Sequence, residues 1–242
     1  MLKEHIFNRF DKEMSALHDI VMQMSELARS QMRDAVAALM SEDVEWAQAI
    51  IEKDKSINDL DKAGNEEIIR IIAKRQPVAR DLRDIMVVNK VISDIERIGD
   101  LARWVARITL HFYEGDRPPP NHSLLEEIPR MATMVDEMLR DAVFSLQSLD
   151  VEKAVLVIQA AIHLESEFKA AIRRLSTYLM EDSRSIGHVT EIILGLRAIE
   201  RAGGHAKNVA ISAIFLIKGV NLRHESLEQI AADVGLPLHG KS

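Results

Sequence analysis

One eight-residue run occurs twice in this chain, about a hundred residues apart. It is IERIGDLA at residues 95–102 and IERAGGHA at residues 199–206. A shorter match, DVE at residues 43–45 and 150–152, extends the likeness towards the start of each copy, with an offset of 107 residues against 104 in the longer run. Matches that repeat at nearly constant spacing predict a chain built from two copies of one structural unit.

The composition around this repeat favours helices throughout. The chain has only 10 glycines and 6 prolines, and it is rich in strong helix formers. No segment shows the two-residue alternation typical of a strand. Near the N-terminus, apolar side chains recur at spacings of three and four, which is the seam of a helix that packs against partner helices. These side chains are Phe7, Phe10, Met14, Leu17, Val21, Met24 and Ala28. We therefore predict an all-α fold.

Turn-forming residues divide the chain into six long helices. Pro77 closes the second helix, because the residue before a proline is disfavoured in the α conformation, and the three prolines at 118–120 cannot lie inside a helix. The predicted helices extend to about residue 40 and then cover 44–75, 80–113, 124–148, 151–180 and 184–218. We expect two similar three-helix bundles side by side. Their predicted extents are 1–116 and 124–220, with a Pro-rich linker at 117–123 and a loosely ordered C-terminal tail at 221–242.

The overall composition excludes several functional classes. The chain has no cysteine, which excludes disulfides, thiolate metal sites and cysteine nucleophiles. Its net charge of -7 argues against sequence-independent nucleic-acid binding, and a bare phosphate would need a metal ion or a local arginine cluster to bind. We find no signal peptide and no apolar run as long as a membrane span requires. We therefore expect a cytoplasmic protein without direct membrane insertion and without a nucleic-acid partner.

The first copy of the run belongs to a polar stripe on the third helix. Asn89, Ser93, Glu96 and Asp100 follow four-three-four spacing, so they share one helix face. The second helix carries a stripe of the same spacing. Its members are Asp54, Asn58, Asp61 and Asn65. If the two helices form an antiparallel hairpin that folds near Pro77, Asp100 is level with Asp54 and Glu96 with Asn58, to within a residue or two.

Carboxylates that face one another need a positive charge between them, because like charges raise one another's pKa. Carboxylate and amide oxygens suit hard metal ions such as Mg²⁺, Mn²⁺ or iron. The predicted metal ligands are Glu96, Asp100, Asp54, Asp61 and Asn58. Two alternatives stay open: Arg103 or Lys90 neutralises the stripe, or the stripe faces water.

The second copy differs at the positions that matter for a metal. Gly204 replaces the second acid of the run, and Arg197 takes the place of Ser93. A guanidinium near Glu165 and Glu200 predicts an ion pair instead of a metal ion. The sequence therefore predicts a metal site in the first bundle only.

Basic residues cluster at the turn between the second and third helices. Arg75, Arg80 and Arg83 follow Lys74 within ten residues. Basic residues at a helix C-terminus complement the helix dipole, which accounts for Lys74 and Arg75. The alternative is a docking patch for an acidic partner, formed by Arg75, Arg80 and Arg83.

The sequence offers no recognisable catalytic constellation. None of the nine histidines has a glutamate three residues before it, as a ferritin-like di-iron site requires. His-Glu-x-x-His, the Walker loop and Gly-x-Gly-x-x-Gly are also absent from the sequence. We expect a protein that is not an enzyme. The alternative is a metal-dependent phosphoester hydrolase that uses the acidic stripe of the first half.

Two segments carry a resemblance to a known family. QPVARDLR at 76–83, followed by DIERIGD at 94–100, resembles the PhoU family of phosphate-uptake regulators. Glu200-Arg201 through HAKN at 205–208, and IFLIKG at 214–219, are similar to that family's second repeat. The likeness extends over almost the whole chain.

The resemblance implies a fold, a role and partners. Family members fold as two three-helix bundles with pseudo-twofold symmetry. They act with the high-affinity phosphate ABC transporter, here through its ATPase, and with the sensor histidine kinase of the phosphate response, as negative regulators of phosphate uptake and starvation signalling. We also expect a homodimer. Some members bind metal clusters through acid-x-x-x-Asp motifs, which here means Glu96 and Asp100; Gly204 departs from the second motif, and Leu101 replaces a histidine often found after the first.

Overall fold

The computed structural model describes residues 2–53, 55–114, 118–220, 222, 225 and 227–235, with only the backbone described at 2–8, 183 and 234. The helices are α1 (Leu2–Met40), α2 (Val44–Lys53), α3 (Lys55–Arg75), α4 (Ala79–Tyr113), α5 (Glu127–Ser148), α6 (Val151–Glu181), α7 (Ile186–Lys218) and α8 (Leu227–Val234). The described part of the chain contains no strand, which confirms the predicted all-α fold. The predicted helix over 44–75 is described as α2 and α3, on either side of residue 54.

Each half of the molecule turns its first corner in the same way. Glu42 and Leu149 both adopt left-handed backbone conformations, with φ of 60° and 54°. The residue that follows each of them is an aspartate whose carboxylate accepts a hydrogen bond from the backbone N–H of the next helix, at 2.8 Å from Trp46 N and 3.0 Å from Lys153 N. Such a side-chain cap satisfies an N–H group that has no partner inside the helix. The repeated Asp-Val-Glu therefore marks the same capped corner in both halves.

Each half forms a bundle of three helical segments, and in the first half α2 and α3 together form the middle segment. In the first bundle α1 packs against α2, α3 and α4, and in the second α5, α6 and α7 pack against one another. The glycine of the repeated run allows close helix packing in both bundles. A Cβ atom at Gly99 would lie 2.8 Å from Ile57 Cδ1, and one at Gly203 would lie even closer to Leu164 Cδ2. The run therefore marks a close contact between the second and third helical segments of each bundle.

The two bundles meet through equivalent helices. α4 packs along α7, and α1 packs against α5. Arg29 on α1 donates two hydrogen bonds to Asp136 on α5, both at 3.0 Å, and Arg33 donates a third at 2.7 Å. Arg29 and Asp136 are separated by 107 residues, which is the repeat offset of this part of the chain. Because equivalent positions face each other, the halves are related by a pseudo-twofold axis that passes between them.

The structure corrects three details of the prediction. The tail is not loosely ordered throughout, since α8 packs on α6 and buries Ile230 and Ala231. These two apolar residues lie on the same side of α8, which gives this helix an apolar surface to bury against α6. The fourth predicted helix starts at Glu127, after a short 3₁₀ turn at His122–Leu124 that Asn121 caps. The sixth starts at Ile186, after a similar turn at Ser183–Ser185.

The predicted extents of the bundles, the linker and the tail stay predictions. Of the residues in these ranges, 1, 54, 115–117, 221, 223, 224, 226 and 236–242 lie outside the described part of the chain. Among the described helices, none combines the length and the apolar character that a membrane crossing needs.

Candidate functional site

The two carboxylates of the first run lie together on α4, each partly shielded from water. The side chains of Glu96 and Asp100 are 23% and 30% exposed. Arg103 donates a hydrogen bond of 2.6 Å to Asp100 Oδ1. Arg97 lies 3.6 Å from Glu96 Oε2 and 4.0 Å from Asp100 Oδ2. The stripe is therefore compensated by arginines of its own helix, which is the first alternative to a metal ion that the sequence left open.

The opposite stripe on α3 is less well placed for a metal. Asn58 is exposed, Asp61 is half-buried, and Asn65 donates its side-chain amide to the Asp61 carbonyl at 2.9 Å. The predicted ligand Asp54 lies outside the described residues. Within the described part of the chain, no three histidine, aspartate or glutamate side chains are grouped closely enough to hold a metal ion. A hard metal ion in the first bundle stays a prediction.

The register of α3 against α4 agrees with the prediction to within a residue or two. Ile57 packs at Gly99, and Ile92 packs at Gly64. Close packing of isoleucine against glycine fixes the register, since a shift would leave gaps beside both glycines.

The second copy forms the predicted ion pair. Arg197 Nη1 lies 3.2 Å from Glu200 Oε2, and its guanidinium stacks 5.4 Å from the centre of the Phe168 ring. Glu165 pairs with Lys169 at 2.6 Å, and this hydrogen bond lowers the pKa of Glu165, with smaller contributions from Lys207 and Arg197. The prediction that Arg197 pairs with Glu200 is confirmed. The main partner of Glu165 is Lys169, its neighbour one helical turn along.

The three arginines predicted to dock a partner have different surroundings. Arg75 donates two hydrogen bonds of 2.8 Å to Glu13 on α1, and these bonds hold the pKa of Glu13 below its usual value. Arg83 lies 5.7 Å from the Phe215 ring and 3.5 Å from the Leu216 carbonyl, so it joins α4 to the end of α7. Arg80 is exposed. Arg75 and Arg83 thus have structural partners, and a docking role for the three stays a prediction.

A buried polar contact between the halves was not predicted. Asp94 on α4 is only 7% exposed, and its Oδ1 lies 2.8 Å from His205 Nδ1 and accepts a hydrogen bond of 3.2 Å from Asn208, both on α7. The other carboxylate oxygen is buried with no hydrogen-bond partner in the described structure. The available signal in the sequence was an aspartate on an otherwise apolar face, between Val91 and Ile98.

Comparisons with known proteins agree with this architecture. A model of the PhoU domain matches residues 21–109 and 128–213, once in each half. A phosphate-specific transport system accessory protein PhoU homolog from Pseudomonas putida is 37% identical over 96% of this chain and 90% of its own. The phosphate-specific transport system accessory protein PhoU of Escherichia coli is 34% identical over 92% of this chain and 91% of its own.

Solved structures give the same result. The crystal structure of PhoU from Pseudomonas aeruginosa has a TM-score of 0.81 and 37% identity, covering 87% of this chain and all of that one. The phosphate transport system regulatory protein PhoU from Streptococcus pneumoniae has a TM-score of 0.78 and 25% identity, covering 88% of this chain and 98% of that one. The two domain matches and the likeness over nearly the full length show that the chain belongs to the PhoU family.

Proposed function

We propose that this chain is a cytoplasmic accessory protein of a phosphate transport system and acts without catalysing a reaction. The observation that carries the proposal is the likeness over more than nine-tenths of the chain to proteins named phosphate-specific transport system accessory proteins. The relatives and solved neighbours are named as accessory or regulatory proteins, which favours regulation over phosphoester hydrolysis.

The finer part of the proposal concerns partners. We propose an adaptor that contacts the ATPase of the high-affinity phosphate transporter and the sensor histidine kinase, and that represses uptake and signalling when phosphate is plentiful. Such an adaptor needs a docking surface that its own fold leaves uncovered. Leu82 and Met86 lie four residues apart on one face of α4, Val78 directly precedes the helix, and all three are exposed. Exposed Arg80 lies beside them in the same turn of helix.

The described surface therefore supports docking through apolar contacts with a basic residue at the edge. Exposed apolar residues that recur on one helix face are typical of protein contact sites. We propose that Leu82 and Met86 provide most of the contact with the partner and that Arg80 orients an acidic group of the partner. Arg75 and Arg83, which hold α1 and α7, would support this surface from behind.

The experiment is a binding assay with purified partners. The transporter ATPase and the cytoplasmic region of the sensor kinase are captured separately on the wild-type chain and on a Leu82→Asp/Met86→Asp variant. We expect the double variant to lose capture of at least one partner. The matched control is Leu156→Asp, which places the same change at an exposed leucine on α6.

Two results would overturn different parts of this proposal. If the wild-type chain captured neither partner and its deletion left phosphate-responsive gene expression unchanged, the accessory function would be wrong. If Leu156→Asp reduced capture as much as the double variant, the location of the docking surface would be wrong and the function would stand.

A further inference from the structure

A cleft between α4 and α7 is unusually rich in arginine. Its volume is about 240 Å³, and it lies at the contact between the two halves. Four guanidinium groups line it, those of Arg97, Arg103, Arg107 and Arg201. Asp100 is the carboxylate among the lining residues. In a chain with a net charge of -7, this is a strongly positive site on an otherwise acidic protein.

Two carboxylates compensate part of this positive charge. Asp100 accepts a hydrogen bond from Arg103 and lies 4.0 Å from Arg97, and Arg97 also lies 3.6 Å from Glu96 Oε2. Arg107 and Arg201 are exposed, and no ion pair of either is found with the described residues. Four like charges around one opening repel one another, and the repulsion falls when an anion enters.

The repeat explains why the arginines converge. Arg97 and Arg201 are the arginines of the two Glu-Arg-x-Gly copies, and Leu101 and His205 occupy another pair of equivalent positions. All four residues line the cleft. The pseudo-twofold axis therefore brings the two copies of the run to one opening, with Arg97 from α4 and Arg201 from α7.

We propose that this cleft binds the phosphate group of a small molecule as a doubly charged tetrahedral oxyanion. A guanidinium presents a planar fork of N–H donors that matches phosphate oxygens two at a time. Trp104 and Leu101 supply an apolar part of the wall, which strengthens the attraction by excluding water. The inference goes beyond the proposed function, because an adaptor that docks two proteins needs no ligand of its own.

The experiment uses a tryptophan that lines the cleft. The chain has 2 tryptophans, so Trp46→Phe leaves Trp104 as the sole reporter of the site. Inorganic phosphate is titrated at low salt into this variant of the full chain, and a small phosphomonoester, glycerol 3-phosphate, is titrated in parallel. We expect a saturable change in fluorescence with both or with one of them, and weaker binding as salt is added. The tighter of the two identifies whether the site takes free phosphate or a phosphate ester.

Variants decide whether the arginines are responsible. In the same background, Arg201→Gln and Arg107→Gln are each expected to weaken binding about tenfold, because each removes a charged donor from the anion. Arg173→Gln is the control, since Arg173 is exposed on α6 and outside the cleft. Circular dichroism of each variant checks the fold.

The proposal is overturned by either of two results. The first is that neither probe gives a saturable change in fluorescence up to about 10 mM. Any binding would then be weaker than about 3 kcal/mol. The second is binding that Arg201→Gln and Arg107→Gln leave unchanged relative to Arg173→Gln. Neither result bears on docking of the transporter ATPase or the kinase, so the proposed function stands or falls separately.

Discussion

The two copies of the repeated run share a glycine that allows close helix packing, and they differ in their polar residues. Gly99 and Gly203 both face a close aliphatic neighbour, in Ile57 and Leu164. By contrast, the position of Asp100 is occupied by Gly204 in the second copy. Close packing leaves no room for a larger residue at the two glycines, whereas a partly exposed polar position tolerates replacement. The shared glycine is therefore a requirement of the fold, whereas the carboxylate of Asp100 is a feature of the first half alone.

Two contacts between the halves also differ in the charges that equivalent residues carry at the pseudo-twofold axis. Where α1 meets α5, the equivalent residues Arg29 and Asp136 carry opposite charges and pair directly. Where α4 meets α7, the equivalent residues Arg97 and Arg201 carry the same charge and line an open cleft. The first arrangement stabilises the contact by itself, and the second is completed by an anion. Four experiments test the comparison of the halves.

The largest expected difference concerns metal. If the first half alone holds a hard metal ion, Asp100→Ala removes the metal and Glu200→Ala leaves it in place. Elemental analysis of the purified proteins measures this directly. Equal metal content in wild type and both variants would assign Asp100 to its hydrogen bond with Arg103 instead.

The next largest effect is expected where equivalent positions pair. Asp136→Ala leaves Arg29, whose side chain is only 16% exposed, with Glu26 on its own helix and no partner on α5. We expect the free energy of unfolding to fall by about 2 to 3 kcal/mol, because the contact between the halves loses the three charge-assisted hydrogen bonds that Asp136 accepts from Arg29 and Arg33. Chemical denaturation measures the change.

The control for this change lies on the same helix. Asp141→Ala removes a carboxylate that pairs with the exposed Arg140, and we expect a loss below about 1 kcal/mol. Equal losses for Asp136→Ala and Asp141→Ala would mean that the contact between the halves contributes no more than a surface ion pair.

A smaller effect separates the two adjacent glycines of the second copy. Gly203→Val forces the new side chain against Leu164, and we expect a loss of about 1 to 3 kcal/mol from overpacking. A Cβ atom at Gly204 would have no neighbour within 4 Å, so the effect of Gly204→Val is expected to stay within about 0.5 kcal/mol. Thermal unfolding of the two variants compares them. Gly99→Val in the first half is expected to behave like Gly203→Val, and a harmless Gly99→Val would break the equivalence of the halves.

The smallest effect is a pH dependence confined to the first half. His18 on α1 lies 3.1 Å from Asp84 on α4, and this hydrogen bond raises the pKa of His18 above its ordinary value of 6.5. The folded state therefore holds the proton more tightly than the unfolded state. The resulting stability is fully present below pH 6.5 and is lost as the pH rises through the raised pKa of the folded state.

We expect a contribution below about 1 kcal/mol, because the pair is partly open to solvent. NMR titration of the His18 ring measures its pKa, and the stability of wild type is compared with His18→Gln at several pH values. The equivalent position in the second half is Leu125, which is fully buried and cannot titrate. A pH profile that His18→Gln leaves unaltered would contradict the assignment.

Helices, corners and the duplication could be predicted from the sequence because they depend on local signals. Asp43 and Asp150 cap helices through their own neighbours, and Pro77 ends a helix by its covalent structure. The register of α3 on α4 could be predicted only to within a residue or two, since its exact value depends on how Ile57 packs at Gly99 across the bundle. Polar spacing along each helix does not resolve that contact.

The inter-half site was missed for a related reason. The helix pattern marks Asp94 as lying on a buried face, but nothing in it indicates that His205 and Asn208 lie opposite, 111 and 114 residues further along the chain. The convergence of Arg97 and Arg201 likewise requires the position of the pseudo-twofold axis. That axis becomes known only when α4 and α7 are seen to pack together.

The pairing of Arg29 with Asp136 has a consequence for how the duplicated units choose each other. If two first halves met in the same way, arginine would face arginine at the axis, and two second halves would place aspartate against aspartate. Both self-associations bring like charges together in a poorly solvated contact. The opposite charges thus disfavour the pairing of two identical halves, and each first half is directed to a second half.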